Sequence, residues 1–235
     1  MSERSERPAE GPRAMRLFIG ARVSLATVRA LDDAVQAMRR VEGAVRPKWV
    51  APATYHVTLK FLGWSRPEVV EALRDRVGAA LRGVRALEIE CRGLGAFPSA
   101  EKARVVWAGI DPAGGARLGE MVEKIEGATS ELGFAREKRA WHAHVTLARV
   151  RTPADVRELL AAAPEQVYRY TWVDSLVLFE SQMKKGGSEY TEIVSWPLES
   201  DSRAARRHTA AVEHVDQGAQ ETTPDGDKYD DEGPG

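Results

Sequence analysis

Only one cysteine, Cys91, occurs among the 235 residues. No disulfide can therefore close within the chain, and a reducing, cytoplasmic setting is the default expectation. Between Glu90 and Arg92, that thiol reads as a half-buried strand residue more readily than as a reactive one. Long apolar runs are missing too. None approaches the ~20 residues of a membrane-spanning helix, so no membrane partner is expected. Residues 1–13 are rich in Ser, Glu, Arg and Pro and lack an apolar stretch, and no secretory leader is expected. Neither sign of charge dominates: 34 Lys and Arg face 35 Asp and Glu, for a net −1. Dense Lys/Arg clusters of the kind that grip a duplex are lacking.

The charge that is present is unevenly placed. Residues 200–235 hold four basic and nine acidic side chains, a net −5, which leaves +4 for residues 1–199. A modestly basic body suits an anionic ligand. The same residues divide the chain into three. Residues 1–14 are polar with two prolines and read as a disordered tail. Residues 15–199 read as the folded domain. Residues 200–235 lose apolar periodicity, carry a short helical pattern over 203–215, and otherwise read as an acidic disordered tail.

Within the body, strand and helix patterns alternate. Strands are predicted over 16–20, 55–62, 87–94, 104–110, 143–150, 172–181 and 189–198. Apolar residues at helical spacing predict helices over 25–41, after Arg66-Pro67-Glu68, and over 116–132. A further helix is predicted to start with Thr152 as N-cap and Pro153 in its first turn. The order strand, helix, strand, helix, strand occurs twice. Short strands separated by helices predict an α+β fold of two lobes, largely antiparallel.

The middle strand of each half carries the same four residues, His-Val-Thr-Leu, at His56–Leu59 and at His144–Leu147. Side chains alternate faces along a strand, so each copy sets an imidazole and a hydroxyl together on one face. An internal duplication would bring the two strands to symmetric places facing each other across one cleft. Two imidazoles and two hydroxyls would then converge on one small anion.

That set suits phosphoryl chemistry. Histidine titrates near neutrality, so one imidazole can be protonated while the other is neutral. One would activate the attacking oxygen and the other protonate the leaving oxygen, while the Thr58 and Thr146 hydroxyls bind non-bridging oxygens. The scheme requires no metal and no other cofactor. A zinc reading also exists, because His142 and His144 share a strand face, but the first half has no matching His-x-His. Lys60 falls by alternation on the face of His56 and could attract phosphate. Tyr55, Phe97, Trp107 and Trp141 could stack a nucleobase.

These residues resemble a known family. Met15-Arg16-Leu17-Phe18-Ile19, Lys48-Trp49-Val50, the run from His56 to Gly63, Gly93 to Pro98, and His144 to Val150 are similar to the two-histidine (2H) phosphoesterase superfamily. The nearest likeness is to its RNA 2′,3′-cyclic phosphodiesterase branch, first described as 2′-5′ RNA ligases, and it covers roughly residues 15–198. The resemblance implies a bilobal 2H phosphoesterase fold: two pseudo-symmetric lobes of largely antiparallel sheet, helices packed outside, and a central cleft. It implies hydrolysis of RNA 2′,3′-cyclic phosphate ends, or nucleoside 2′,3′-cyclic phosphates, to 2′-phosphates without metal or nucleotide cofactor. His56 resembles the proton donor to the departing 3′-oxygen, His144 the base that activates water, and Thr58 and Thr146 phosphate binders. Arg149 matches a family arginine near the phosphate, although simple alternation puts it on the face opposite His144 unless a bulge intervenes. Two departures stand out: Ala143 where many members have proline, and Tyr55 where a smaller residue is frequent. The reverse reaction, 2′-5′ ligation, and non-catalytic nucleotide or RNA binding are the competing readings. A monomer is the default, since both half-sites lie on one chain.

Overall fold

Nine strands and four α-helices stand among the described residues, two strands more than the seven read from the sequence. In this computed structural model, which describes residues 13–43, 45–163, 167–184 and 187–200, strands are β1 (Met15–Arg22), β2 (Lys48–Trp49), β3 (His56–Ser65), β4 (Leu87–Phe97), β5 (Ala103–Ile110), β6 (His144–Ala154), β7 (Val167–Val173), β8 (Ser175–Lys184) and β9 (Gly187–Pro197). Helices are α1 (Leu25–Arg40), α2 (Val69–Ala80), α3 (Pro112–Ser130) and α4 (Arg157–Ala162). Residues 1–12 and 201–235 of the expected tails, including the helical pattern over 203–215, lie outside the described residues.

Local chemistry accounts for the main helix starts. The Ser24 hydroxyl accepts from the Thr27 amide at 3.2 Å and caps α1. Asp111 accepts from the Gly114 amide at 2.8 Å and Pro112 fills the first position of α3, so that helix begins four residues earlier than its apolar pattern indicated. The expected cap at Thr152 does not form. Thr152 and Pro153 belong to β6, which runs on until Ala154 pairs with Ala103, and the Val156 amide donates to Ala100 O at 2.8 Å. Helix α4 starts only afterwards, at Arg157, whose amide donates to Asp155 Oδ1 at 3.0 Å, while the N-cap residue Val156 makes no side-chain cap bond. Pairing with the neighbouring strand outweighs the local capping signal there. The expected strand over 172–181 is two strands, broken at Asp174.

Among the described residues the strands form one antiparallel sheet in the order β7-β4-β5-β6-β3-β1-β8-β9, with β2 also on β6. Two symmetric lobes meet at its centre, where β3 and β6 pair through one rung, Val57 with Val145. Each lobe borrows a strand from the other half of the sequence: β4 lies beside β5, and β8 beside β1. The duplicated strands are thus neighbours in one curled sheet, and the cleft lies along their shared face.

Among the described residues the helices pack on one face of the sheet. Leu31, Val35 and Met38 of α1, Leu73 and Val77 of α2, and Leu118, Met121 and Ile125 of α3 bury themselves with Val57, Leu59, Val145 and Leu147 in a single core. Cys91 belongs to it, and burial pushes its thiol up to about 12, which leaves it protonated and unreactive at neutral pH. A small second cluster of Phe18, Val177 and Phe179, with Tyr190 against it, occupies the opposite face. That opposite face carries the candidate site.

Candidate active site

The two motif strands repeat each other beyond their four identical residues. Exposure along the first seven residues follows one pattern in both: partly buried His, buried Val, partly buried Thr, buried Leu, a buried residue, an exposed residue, a buried residue. Alternation breaks at the same point in each. Ile19 and Gly20 pair with Lys60 and Thr58, which leaves Leu59 as the extra residue of a bulge. Val106 and Trp107 pair with Ala148 and Thr146, which leaves Leu147 as the extra residue. The bulge turns Arg149 onto the face of His144 and Thr146. In β3 the same bulge turns Phe61 onto the face of His56 and Thr58.

It also moves Lys60 the other way, against the expectation that it would join the cleft. Lys60 is buried among the helices, where its ammonium donates to Glu126 Oε2 at 2.8 Å and to Ala135 O at 3.0 Å.

Both imidazoles are held alike. His56 Nδ1 lies 2.7 Å from Thr54 O, and His144 Nδ1 lies 2.7 Å from His142 O. A carbonyl can only accept, so each Nδ1 carries its proton and each Nε2 is left free of the main chain. His56 Nε2 lies 2.9 Å from Thr58 Oγ1, whose hydroxyl donates to it when the ring is neutral. The rung at Val57–Val145 sets His56 beside Thr146 and Thr58 beside His144. The two histidines are then diagonal neighbours, roughly 7–8 Å apart at the backbone, a span that one tetrahedral phosphoryl group can bridge.

Charge and burial act on both rings. Desolvation is the largest influence and pushes each imidazole below its usual value, against the opposing pull of the carbonyl bonds. His144 and Arg149 lower His56 further; His142 and Arg149 lower His144. Arg149 therefore acts electrostatically on both rings. Lys48, its partner across β2–β6, is exposed and adds a second cation to that end of the cleft.

Aromatic walls fix the rings sideways. The Phe18 ring lies 4.8 Å from His56, and Tyr190 meets His56 edge-on at 5.2 Å. Phe97 meets His144 edge-on at 5.2 Å, with Trp107 at 6.4 Å. Two glycines make these approaches possible. A Cβ on Gly20 would sit 2.9 Å from Val57 O and 3.3 Å from the His56 ring, and one on Gly95 would enter the Trp107 indole. Beside His144 opens a cavity of about 280 Å³ lined by Phe97, Trp107, Asp111, Trp141 and His142 among others. The Trp107 Nε1 is buried there without a hydrogen-bond partner.

Of the four aromatics expected to stack a base, Phe97, Trp107 and Trp141 line this cavity, while Tyr55 is buried in the core. Trp141 also donates from Nε1 to Thr58 O at 3.0 Å, tying the loop before His144 to the first motif strand. Among the described residues no group of three His, Cys, Asp or Glu is placed to hold a metal ion, so His142 and His144 have no third such ligand. The bulge in β3, the cation at Lys48, the exposed Phe61 and the two pinning carbonyls were missed by sequence reasoning, which named a bulge only as what Arg149 would need. The carbonyls had a signal: Thr54 and His142 each precede a motif histidine by two residues.

A profile of the 2′-5′ RNA ligase superfamily matches residues 27–184. The chain belongs to that superfamily. Within the 2′-5′ RNA ligase superfamily, similar proteins include the RNA 2′,3′-cyclic phosphodiesterase of Aeropyrum pernix, 33% identical over 162 residues that cover 66% of this chain and 89% of that one. The RNA 2′,3′-cyclic phosphodiesterase of Thermus thermophilus is 30% identical over 195 residues, covering 80% and 92%. A solved structure from Thermus thermophilus superposes with a TM-score of 0.67 at 25% identity, covering 80% of this chain and 100% of that one. Escherichia coli LigT in complex with 3′-AMP has the same fold, with a TM-score of 0.61 at 21% identity over 79% and 99%. The bilobal α+β architecture is thus that of this superfamily. Among the described residues no helix is long and apolar enough to cross a membrane.

Proposed function

We propose that this protein opens RNA 2′,3′-cyclic phosphate ends, and nucleoside 2′,3′-cyclic phosphates, to 2′-phosphates. One observation carries the reading: two imidazoles, each pinned through Nδ1, present Nε2 to a shared face across a single rung. The relatives named above as RNA 2′,3′-cyclic phosphodiesterases support the same reaction.

In this reaction His144 Nε2 takes a proton from water as the water oxygen bonds to phosphorus. The bond from phosphorus to the 3′-oxygen breaks in line, and His56 Nε2 gives its proton to that oxygen. Charge growing on the non-bridging oxygens is met by Thr58, Thr146 and Arg149. The bound anion favours the imidazolium that burial disfavours, so substrate itself helps to protonate the acid. Solvent then exchanges protons with both rings and restores the starting state. One chain supplies every group named, so a monomer suffices. The chain's single thiol is buried and reduced, which fits a cytoplasmic enzyme.

The cavity beside His144 favours a second reading on the same residues. It exceeds the ~30 Å³ share of a water and has aromatic walls, so a nucleoside 5′-hydroxyl could replace water as nucleophile and form a 2′-5′ bond. Product analysis decides between them. A short oligonucleotide with a cyclic phosphate end, in excess EDTA, should give a 2′-phosphate alone; a joined product only when a 5′-hydroxyl strand is added would establish ligation as well. Loss of turnover on chelation with recovery by zinc would overturn the two-histidine scheme.

A further inference from the structure

Lys48 and Arg149 stand directly opposite each other across the β2–β6 pair, two cations on one face. Like charges so placed repel and cost stability. They are not alone. Arg151 is exposed beyond the buried Val150, so by alternation it shares the face of Arg149, and Arg46 is exposed beyond the buried Pro47 in the same way as Lys48. Among the described residues none of the four makes an ion pair. Arg22, the cation that pairs with His56 across β1–β3, is by contrast matched to Glu192. One cyclic phosphate carries a single charge, and Thr58, Thr146 and Arg149 already meet it. Arg46, Lys48 and Arg151 are left for other anions.

The position of these cations along the cleft indicates which anion. Strands β3 and β6 run antiparallel through the rung at Val57–Val145, so His56 lies beside Thr146, on the side of the rung where β6 continues to Arg149. On that side β2 prolongs the line of β3: the Val50 amide donates to Leu147 O at 2.8 Å, and Lys48 pairs with Arg149. His56 serves the 3′-oxygen in the reaction above, so the ribose lies toward this end of the cleft. Arg151 lies roughly 15 Å along β6 from Thr146, farther out than the cyclic phosphate itself. We propose that Arg46, Lys48 and Arg151 form a track for the phosphodiester backbone upstream of the cyclic end, which favours ends of single-stranded RNA over free nucleoside cyclic phosphates, an inference that rests on the phosphodiesterase reading above. Cations on phosphates position a strand without reading its bases, so the track confers no sequence preference.

The test compares a tetranucleotide bearing a 2′,3′-cyclic phosphate end with the matching nucleoside 2′,3′-cyclic phosphate. In wild type the tetranucleotide should have the higher kcat/KM, chiefly through KM. With two upstream phosphates neutralised, that advantage should fall about sevenfold between about 50 and 200 mM salt. Lys48→Gln combined with Arg151→Gln should collapse the ratio toward one and flatten the salt slope by roughly 0.7 for each cation removed. Lys48→Arg should keep both ratio and slope. An uncharged methylphosphonate at the last internucleotide linkage should weaken the wild type and have little further effect on the double variant. A wild-type ratio of one, or a ratio and slope that survive in the double variant, overturns the proposal. Binding separates this from failure of the phosphodiesterase reading. Fluorescence anisotropy of a labelled tetranucleotide with a 2′-phosphate end should show salt-sensitive affinity that the double variant loses, and that result supports the track even where no cyclic phosphate is opened. Equal affinity of wild type and double variant for that strand overturns the track even if the enzyme turns over cyclic phosphates.

Discussion

Val57 and Val145 face each other across the one rung that joins the two lobes, and their side chains close the core while their neighbours face the cleft. The approximate two-fold axis passes between them. Together with the bond from Trp141 to Thr58 O, that rung sets how far His56 stands from His144, because on either side the flanking strands belong to different lobes.

Two rings acting on one phosphorus as a unit should fail as a unit. His56→Ala and His144→Ala should each lower kcat on the order of 10²-fold or more. The double variant should lose little beyond the worse single one, because neither remaining group has a partner to work with. Steady-state rates on a nucleoside 2′,3′-cyclic phosphate measure this. Full turnover in either single variant would remove that histidine from the chemistry.

The pH profile follows from the direction of the shifts. The proposed reaction needs one imidazole protonated and one neutral, and burial holds both below the usual ~6.5 in the free protein. Raising the pH through the higher of the two coupled values removes the needed proton; lowering it through the other protonates the base. The bell for kcat/KM should therefore peak on the acid side of 6.5, with limbs that belong to the pair. The kcat bell should lie at higher pH, since the bound anion stabilises the imidazolium. Arg149→Gln removes a cation that lowers both rings, so its kcat/KM should fall while both limbs move to higher pH. An alkaline limb that stays put in Arg149→Gln would detach that arginine from the site.

The duplicated tetrapeptide made the site legible; its surroundings were not. Alternation puts His56 with Thr58 and His144 with Thr146 because period two holds over three residues. It fails one residue later, where Leu59 and Leu147 bulge. In the second copy the run Leu147-Ala148 hints at two inward residues in succession. In the first, the lysine at Lys60 hides the hint, because a charged side chain gives no sign that Glu126, 66 residues away, will bury it. The order of elements revealed the duplication but not that β4 and β8 cross to the opposite lobe. Strand partners are a long-range choice, and the sequence pattern within each half is local.

Lys60 and Glu126 should behave as a buried ion pair with structural, not chemical, consequences. Glu126 Oε1 also takes the Glu137 amide at 3.4 Å, so the pair anchors the loop that leads to Trp141 and His142. Lys60→Met or Glu126→Leu alone leaves one charge buried and should cost ~3–5 kcal/mol in urea unfolding, whereas the two together should come back toward wild type. Additive losses in the double variant would mean that the two side chains do not act as a pair.

Gly95 is the last test, because it separates the wall of the site from its chemistry. Trp107 lies across Gly95 where a Cβ would enter its ring, and the same indole stands beside His144 and opposite Thr146. Gly95→Ala should force the indole toward the cleft at ~1–3 kcal/mol of stability. The displaced ring would crowd His144, so kcat on nucleoside cyclic phosphates should fall while His56→Ala and Gly95→Ala combine less than additively. Near-ultraviolet circular dichroism should register the moved tryptophan. Unchanged dichroism together with wild-type kcat would show that the indole can shift away from the site, and that the close packing at Gly95 does not position His144.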